Sequence, residues 1–313
     1  MWQKLMIHLA RNEKVKAYFQ SKKKINQLAT KFIGGRDEEK ALVTSLNLKK
    51  ANMHASLFYL GEYVSNLEVV NKTVESLIKI SSKLSKEHLD IHISIDPTQV
   101  GLHIDKSICF SNLKRLAENI KTDTTLKHKN ENKCFLMIDM EDATVCDNTI
   151  NYYFQLFEKD LPVALTLQAY MHRTERDLQK IIKHGGVVRL VKGAFSESKK
   201  IALTSKNEIN HAYLKQSKLM LALDAKASGF YPIFGTHDDQ MIHKIIEIAK
   251  ENGWQKNEYE FEMLFGVRAD YQKELVNEGY KLRLYLPYGE DWWPYAVRRV
   301  GENPKNIKYL LRN

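Results

Sequence analysis

The sequence predicts an α/β protein whose main part is a (β/α)8 barrel. Eight short apolar runs, each long enough for one strand, alternate with longer segments that have the apolar periodicity of helices. This alternation indicates βαβ units and a parallel sheet. Eight such units over about 260 residues match a closed barrel. A doubly wound sheet would need a glycine-rich turn after its first strand, and FYLGEYV does not provide one.

The strand and helix predictions follow the chain in strict alternation. The apolar runs predict strands at residues 54–62, 92–97, 134–141, 163–170, 186–195, 230–237, 259–267 and 281–287. The intervening periodicity predicts helices at residues 65–88, 111–129, 147–159, 173–184, 197–228, 238–253, 267–278 and 291–312.

An N-terminal helical arm is predicted over residues 1–50, before a barrel domain of residues 51–313. Apolar side chains follow the spacing of one helix face at Trp2, Leu5, Met6 and Leu9. Residues 1–33 carry eight basic side chains against one acidic, which is +7 of the net charge of +10. The excess positive charge therefore belongs to the arm. One interpretation is that the arm docks at an anionic membrane surface. An equally good alternative is that its helices pack on the barrel and its lysines face water.

Composition excludes several classes of protein. Hydrophobic residues make up 43% of the chain, enough for a core and too many for disorder. Three sparse cysteines favour a reducing compartment over a disulfide framework, and no CxxC pair offers a zinc site. With no apolar span and no signal peptide, we expect a cytoplasmic protein. Nucleic acid is a minor alternative partner, because no RNP motif, zinc finger or arginine-rich tract is present.

Polar side chains follow most of the predicted strands. Catalytic residues of (β/α)8 barrels lie at the carboxyl ends of their strands, so these positions predict one shared site. A solvated strand end is the better explanation of any single position, but it does not explain so many together. The candidates are Asp96, Asp139, Gln168, Arg189, Lys192, Thr236, His237 and Tyr285.

Two strand ends concentrate charge. In RLVKGAF, Arg189 and Lys192 are three residues apart and so point to opposite faces, while Gly193 permits a close backbone approach. Two cations at one strand end indicate an anionic cofactor. In IDMED, Asp139 and Glu141 share one face by the strand period, and we expect ion pairs with the barrel cations rather than a metal site.

The segment YLPYGEDWWPYAVRRVGENPKN (285–306) adds a pair of adjacent arginines beside an aromatic run. Pro294 suits the first turn of a helix. Within that helix Arg298 and Arg299 form a fork for a carboxylate or phosphate, and Glu302 lies four residues after Arg298.

Taken in order, these motifs resemble the flavin-dependent proline dehydrogenases of the bacterial monofunctional type. The resemblance covers residues 28–306, and its most specific parts are IDMED, LQAYMHRTERDL, VVRLVKGAF, FGTHD and YLPYG followed by PYAVRRVGENPKN. It implies a distorted (β/α)8 TIM barrel. It also implies FAD as the cofactor and oxidation of L-proline to Δ1-pyrroline-5-carboxylate by hydride transfer to flavin N5. Electrons would pass on to a membrane quinone.

The resemblance also assigns roles to individual residues. It implies that Arg298 and Arg299 clamp the substrate carboxylate, with Glu302 holding them, and that Tyr285 packs on the substrate ring. Asp139 belongs to the active-site charge network, together with Arg189. The implied FAD contacts are Met140, Gln168, Arg189, Lys192, Gly193, Ala194, Thr236 and His237.

Three positions depart from the family pattern. Asp96 stands where the family has lysine, Phe195 where it has tyrosine, and Gly235 where another small residue precedes Thr236. Three hypotheses follow. The protein oxidises proline with rewired ion pairs, or it oxidises a related cyclic or basic amino acid, or it is a flavin- or polyanion-binding barrel without turnover.

Overall fold

Eight parallel strands close into a barrel in the structure, a computed structural model that describes residues 31–61, 64, 66–127, 134–293 and 295. Each strand pairs with the next along the chain, and β8 pairs in parallel with β1 to complete the closure. The strands are β1 His54–Tyr59, β2 His92–Ile95, β3 Phe135–Ile138, β4 Val163–Gln168, β5 Val187–Val191, β6 Tyr231–Gly235, β7 Glu260–Leu264 and β8 Leu282–Tyr288. The predicted barrel and all eight of its strands are confirmed.

Helices cover the outside of the barrel. They are α1 Glu38–Lys50, α2 Leu67–Lys86, α3 Lys106–Lys127, α4 Cys146–Phe157, α5 Thr174–Lys183, α6 Lys206–Met220, α7 Leu223–Ala227, α8 Asp239–Glu251 and α9 Ala269–Asn277. A short 3-10 helix, Pro97–Val100, follows β2.

Two predicted helices differ from the observed ones. Helix α3 begins earlier than predicted, because the Asp105 carboxylate accepts hydrogen bonds from the backbone N–H groups of Ser107 and Ile108. The single helix predicted over 197–228 is a loop followed by α6 and α7, since the chain leaves helical geometry at Leu221 and resumes after Ala222.

Helix α1 lies at the end of the predicted arm and packs on the barrel. Its buried face presents Ala41, Ser45 and Leu48, and the helix contacts β1, β8 and α2. Residues 1–30 of the arm, with most of its positive charge, lie outside the described residues. Within the described ranges no helix is both long enough and apolar enough to cross a membrane.

The barrel interior carries two layers of charged side chains, one towards each end. In the layer at the amino ends of the strands, Arg283 is fully buried and contacts the carboxylates of Glu260 and Asp90, each at 2.8 Å. A third donor of Arg283 reaches the carbonyl oxygen of Ala55 at 2.9 Å. His54 Nδ1 lies 2.9 Å from Asp90 and connects this layer to the surface. The second layer, around Arg189, lies at the opposite end.

Candidate functional site

Arg189 is the centre of the charged layer at the carboxyl ends of the strands. It projects inward from β5 and is 4% exposed. Its guanidinium forms an ion pair with Asp139 and another with Glu262, the latter at 2.5 Å. Nε donates to Thr166 at 3.1 Å, and Thr166 donates in turn to Asp139 at 2.7 Å. The expected pairing of Asp139 with a barrel cation is confirmed.

Tyr285 covers this ion-pair cluster from β8. Its hydroxyl donates to Asp139 Oδ2 at 3.2 Å, and its ring centroid lies 5.2 Å from Arg189 Cζ. Burial raises the pKa of Tyr285, and the carboxylates of Asp139 and Asp96 raise it further. The tyrosine therefore stays neutral and acts as a hydrogen-bond donor and an apolar surface.

A chain of hydrogen bonds, here called the mouth chain, joins the ends of the first five strands. Gln99 donates to the carbonyl oxygens of Tyr59 and Gly61 at 2.7 and 2.8 Å, and accepts from Asp96 N at 3.1 Å. Its neighbour Thr98 donates to the Glu141 carboxylate at 2.6 and 3.0 Å.

The mouth chain continues across β4 to β5. Gln168 donates to the carbonyl oxygen of Glu141 at 2.8 Å, and Ala194 N donates to Gln168 Oε1 at 3.4 Å. Glu141 thus belongs to the rim rather than to the Arg189 cluster, so the predicted ion pair with a barrel cation does not form at Glu141. The strand period does not apply there because β3 ends at Ile138.

Glu141 gives the fold a pH dependence near neutrality. Burial raises its pKa to about 7, against the lowering effect of its hydrogen bonds from Thr98. The folded protein therefore holds this proton more tightly than the unfolded chain, in which glutamate has a pKa of about 4.3. The stability contributed by protonated Glu141 is complete at low pH and is lost as the pH rises through about 7.

We expect the Glu141→Gln variant to lose this component of the pH dependence. Urea unfolding of both proteins between about pH 4 and 8 measures it, since this window contains both the unfolded and the folded pKa values. The free energy of unfolding of the native protein should fall relative to that of the variant as the pH rises. Parallel curves would show that Glu141 does not titrate in this range.

A second set of polar side chains lies on the loops that follow β5, β6 and β7. Lys192 pairs with Asp238 at 2.7 Å, and the Thr236 hydroxyl accepts from Asp238 N at 3.2 Å. His237 Nε2 accepts from the backbone N–H of Leu264 at 2.8 Å, and Arg268 donates to the His237 carbonyl oxygen at 2.6 Å. These contacts fix the loop after β6 beside the loop after β5.

Gly193 is required by the backbone of the loop after β5. Its φ is +116°, and a Cβ at this position would clash with the ring of Tyr170. We expect Gly193→Ala to lower the free energy of unfolding by about 1–3 kcal/mol through backbone strain and displacement of Tyr170.

Gly279→Ala is the matched control for this prediction. Gly279 also has a positive φ of +85°, but the nearest atom to an added Cβ is Lys256 Cδ at 3.9 Å. Chemical denaturation of both variants separates the steric contribution from the backbone contribution. An equal loss in the two variants would mean that the contact with Tyr170 contributes nothing.

The remaining predicted residues lie in several environments. The Met140 side chain is buried beside Cys146, Ile150 and Leu167. Ala194 is exposed on the loop after β5, and Asp96 is half-buried at the end of β2. Gly235 makes room for Val191, whose Cγ1 would lie 2.8 Å from an added Cβ. Arg298, Arg299 and Glu302 lie outside the described residues.

A cluster of buried aromatic and aliphatic side chains packs beside the mouth. This cluster consists of Phe32, Ile33, Phe58, Leu60, Trp292, Trp293 and Tyr295, with Tyr285 against it. It brings the residues before α1 into contact with the aromatic run that follows β8.

Three side chains of the Arg189 cluster were missed by the sequence analysis: Glu262, Thr166 and Ser94. Ser94 lies 3.3 Å from Arg189 Nη1 and 3.0 Å from Ser56. The signal for Glu262 was present, because YEFEML places two carboxylates at the strand period inside an apolar run. A charged residue within an apolar run identified Arg189 on β5, and the same criterion would have identified Glu262 on β7.

Described residues 31–61, 64, 66–127, 134–293 and 295 contain no group of three or more histidine, cysteine or acidic side chains able to hold a metal ion. The site instead consists of one buried guanidinium shared by two carboxylates, with polar loops around it. A parallel barrel with such a cluster at the carboxyl ends of its strands has the architecture of the (β/α)8 barrel enzymes, whose active sites lie at this end.

Comparisons with known proteins assign this enzyme to a family. A family model described as proline dehydrogenase matches residues 41–311. Proline dehydrogenase 2 of Bacillus subtilis (strain 168) is 35% identical over 284 residues, which is 91% of this chain and 89% of that protein. Proline dehydrogenase of Deinococcus radiodurans is 28% identical over 297 residues, or 93% and 91% of the two chains.

A solved structure shares the fold. Proline utilization A from Bdellovibrio bacteriovorus superposes with a TM-score of 0.82 at 20% sequence identity, covering 98% of this chain. The chain spans 39% of that longer protein. The chain belongs to the proline dehydrogenase family and is an oxidoreductase of the proline dehydrogenase type.

Proposed function

We propose that this protein oxidises L-proline to Δ1-pyrroline-5-carboxylate with FAD as its cofactor, by hydride transfer to flavin N5. The observation that carries the proposal is the Arg189 cluster, which places a buried guanidinium, Asp139 and Tyr285 together at the mouth of the barrel. A cation held in a protein interior suits the electron-rich edge of a flavin, which becomes more negative on reduction.

The hydrogen-bond donors around Arg189 suit the other parts of FAD. Side-chain or backbone donors are available on the loops after β4, β5 and β6, and Gly193, with its positive φ, presents no side chain to a bound cofactor. We propose that FAD is held by Met140 through its backbone and by Gln168, Arg189, Lys192, Gly193, Ala194, Thr236 and His237. When bound, the flavin supplies the two-electron redox chemistry.

The protein's own residues orient the substrate. We propose that Arg298 and Arg299 clamp the proline carboxylate, that Glu302 holds the two arginines, and that Tyr285 packs on the ring. Asp139 fixes the positions of Arg189 and Tyr285 through direct contacts. Such positioning lowers the barrier by aiming the reacting C–H bond before the reaction begins.

Asp96 supports a second candidate function. It lies at the end of β2 and, together with Asp139, raises the pKa of Tyr285. The mouth therefore carries a carboxylate where the family pattern has a lysine. A substrate with an added positive charge would be attracted to this carboxylate, which favours oxidation of a related cyclic or basic amino acid. A barrel that binds flavin without turnover is the third candidate.

Anaerobic bleaching of the bound flavin distinguishes these candidates. The purified protein should be yellow, and L-proline should bleach it faster than hydroxyproline, pipecolate or a basic analogue. Faster bleaching by the basic analogue favours the second function, and no bleaching by any of them favours the third. Asp96→Lys should improve reduction by L-proline if Asp96 is a rewired ion-pair position.

We further propose a quinone as electron acceptor and a peripheral contact of the basic N-terminal arm with a membrane surface, on a protein otherwise in the cytoplasm. This proposal rests on the charge of residues 1–33, because anionic lipid attracts clustered lysines. The full-length protein should float with vesicles containing anionic lipid, and not with vesicles of phosphatidylcholine alone. Equal recovery with both would contradict membrane docking by the arm.

A further inference from the structure

We propose that Glu262 is an electrostatic positioning residue, which sets the positive charge that Arg189 presents to the mouth and thereby the reduction potential of the flavin. The inference rests on the proposed function, since it requires a flavin at the Arg189 cluster. It concerns a residue that the motifs of the family resemblance do not include.

The first argument is the burial of Glu262. Its side chain is 3% exposed on β7, inside the barrel. Oε1 accepts from Arg189 Nη1 at 2.5 Å, whereas Oε2 has no hydrogen-bond partner among the residues the structure describes. A carboxylate oxygen that is buried without a donor is unfavourable by about 1–3 kcal/mol or more, so packing alone gives no reason for a glutamate here.

The second argument is the charge of the cluster. Arg189 has two carboxylate partners, Asp139 and Glu262. Burial raises the pKa of Glu262 and the charge of Arg189 opposes that shift. When both carboxylates are ionised, the three groups together carry a net charge of −1. Either carboxylate alone would neutralise the guanidinium. The second one makes the mouth more negative, which opposes the uptake of electrons by a nearby flavin.

The third argument is the geometry of the two carboxylates. Asp139 also binds Thr166 and Tyr285, so three contacts hold it in place without Glu262. Among the residues that the structure describes, the Glu262 carboxylate forms a hydrogen bond with Arg189 only. Its carboxylate therefore changes the electrostatics of Arg189, and an amide of the same shape would keep the hydrogen bond while removing the charge.

The test is the reduction potential of the bound flavin in Glu262→Gln. Anaerobic chemical titration against a reference dye measures it without proline, so the result does not depend on turnover. We expect the ratio of reduced to oxidised flavin at a fixed dye potential to rise about tenfold, which is about 30 mV for a two-electron couple.

Two further variants separate charge from shape. Glu262→Asp keeps the charge and should keep a potential close to that of the native protein. Glu258→Gln makes the same chemical change at a partly exposed carboxylate, which pairs with Lys226 at 2.6 Å, and should leave the potential unchanged. A native potential in Glu262→Gln, or equal shifts in Glu262→Gln and Glu262→Asp, would overturn the proposal.

The failure of this inference and of the proposed function have different signatures. If the native protein binds no flavin, both the Glu262 inference and the proposed function are contradicted. If it binds flavin but proline does not bleach it, only the proposed activity is contradicted. If Glu262→Gln does not retain flavin, Asp139→Asn provides the same test because it removes the other carboxylate of Arg189. An unchanged potential in that variant would overturn the proposal as well.

Discussion

Replacing Arg283 by methionine is expected to lower the free energy of unfolding by about 3–5 kcal/mol, a large part of the stability of a typical domain. Arg283 is fully buried and is the shared partner of Glu260 and Asp90. Its removal leaves two carboxylates in the barrel interior, where the weaker contacts of His54, Lys281 and Tyr231 remain. Methionine fills part of the volume but supplies no charge.

Urea unfolding followed by circular dichroism measures this loss. Arg115→Met is the matched control, because Arg115 pairs with Glu75 at 2.6 Å on the surface and both side chains are more than half exposed. Exposed ion pairs contribute about 0–1 kcal/mol, so the control should unfold almost as the native protein does. Similar unfolding of the two variants would contradict a structural role for the buried layer.

Asp139→Asn is expected to lower kcat/KM for proline oxidation by about a hundredfold, the effect of displacing reacting groups by about 1 Å. Asp139 is the only described side chain that contacts Arg189, Thr166 and Tyr285 together. An asparagine has nearly the same shape, but it removes the charge that pairs with Arg189, and an amide nitrogen in place of Oδ2 cannot accept from Tyr285. Both side chains therefore lose a strong constraint at the mouth.

Steady-state kinetics with L-proline test this expectation. Asp142→Asn is the control, because Asp142 belongs to the same IDMED motif but accepts hydrogen bonds only from Thr144 among the described contacts of its carboxylate. Its kcat/KM should stay close to the native value. A loss in the control as large as that in Asp139→Asn would indicate a general disturbance of the loop after β3.

The strands and the centre of the site were accessible from the sequence, because both depend on local pattern. Apolar runs of strand length mark every strand of the barrel, and charge embedded in such a run identified Arg189. The carboxylate that follows β3, Asp139, pairs with Arg189 as expected, since parallel strand ends meet at one edge.

The contacts that the sequence did not reveal depend on distant partners. Glu141 was expected to follow the strand period, but β3 ends three residues earlier and its carboxylate binds Thr98 instead. The break between α6 and α7 lies in a helix-like stretch, where tertiary contacts override local propensity. The pairing of Glu262 with Arg189 could be identified only once the register of the barrel strands was known, because the two residues lie on different strands.

The Arg283 layer has a consequence for how this family can diverge. A single substitution at Arg283, Glu260 or Asp90 passes through a protein with an unpaired charge in its interior, whereas a joint substitution by apolar residues does not. These three positions should therefore change together or not at all among descendants. Selection acts on these three residues jointly, although Asp90 and Arg283 lie almost two hundred residues apart in the chain.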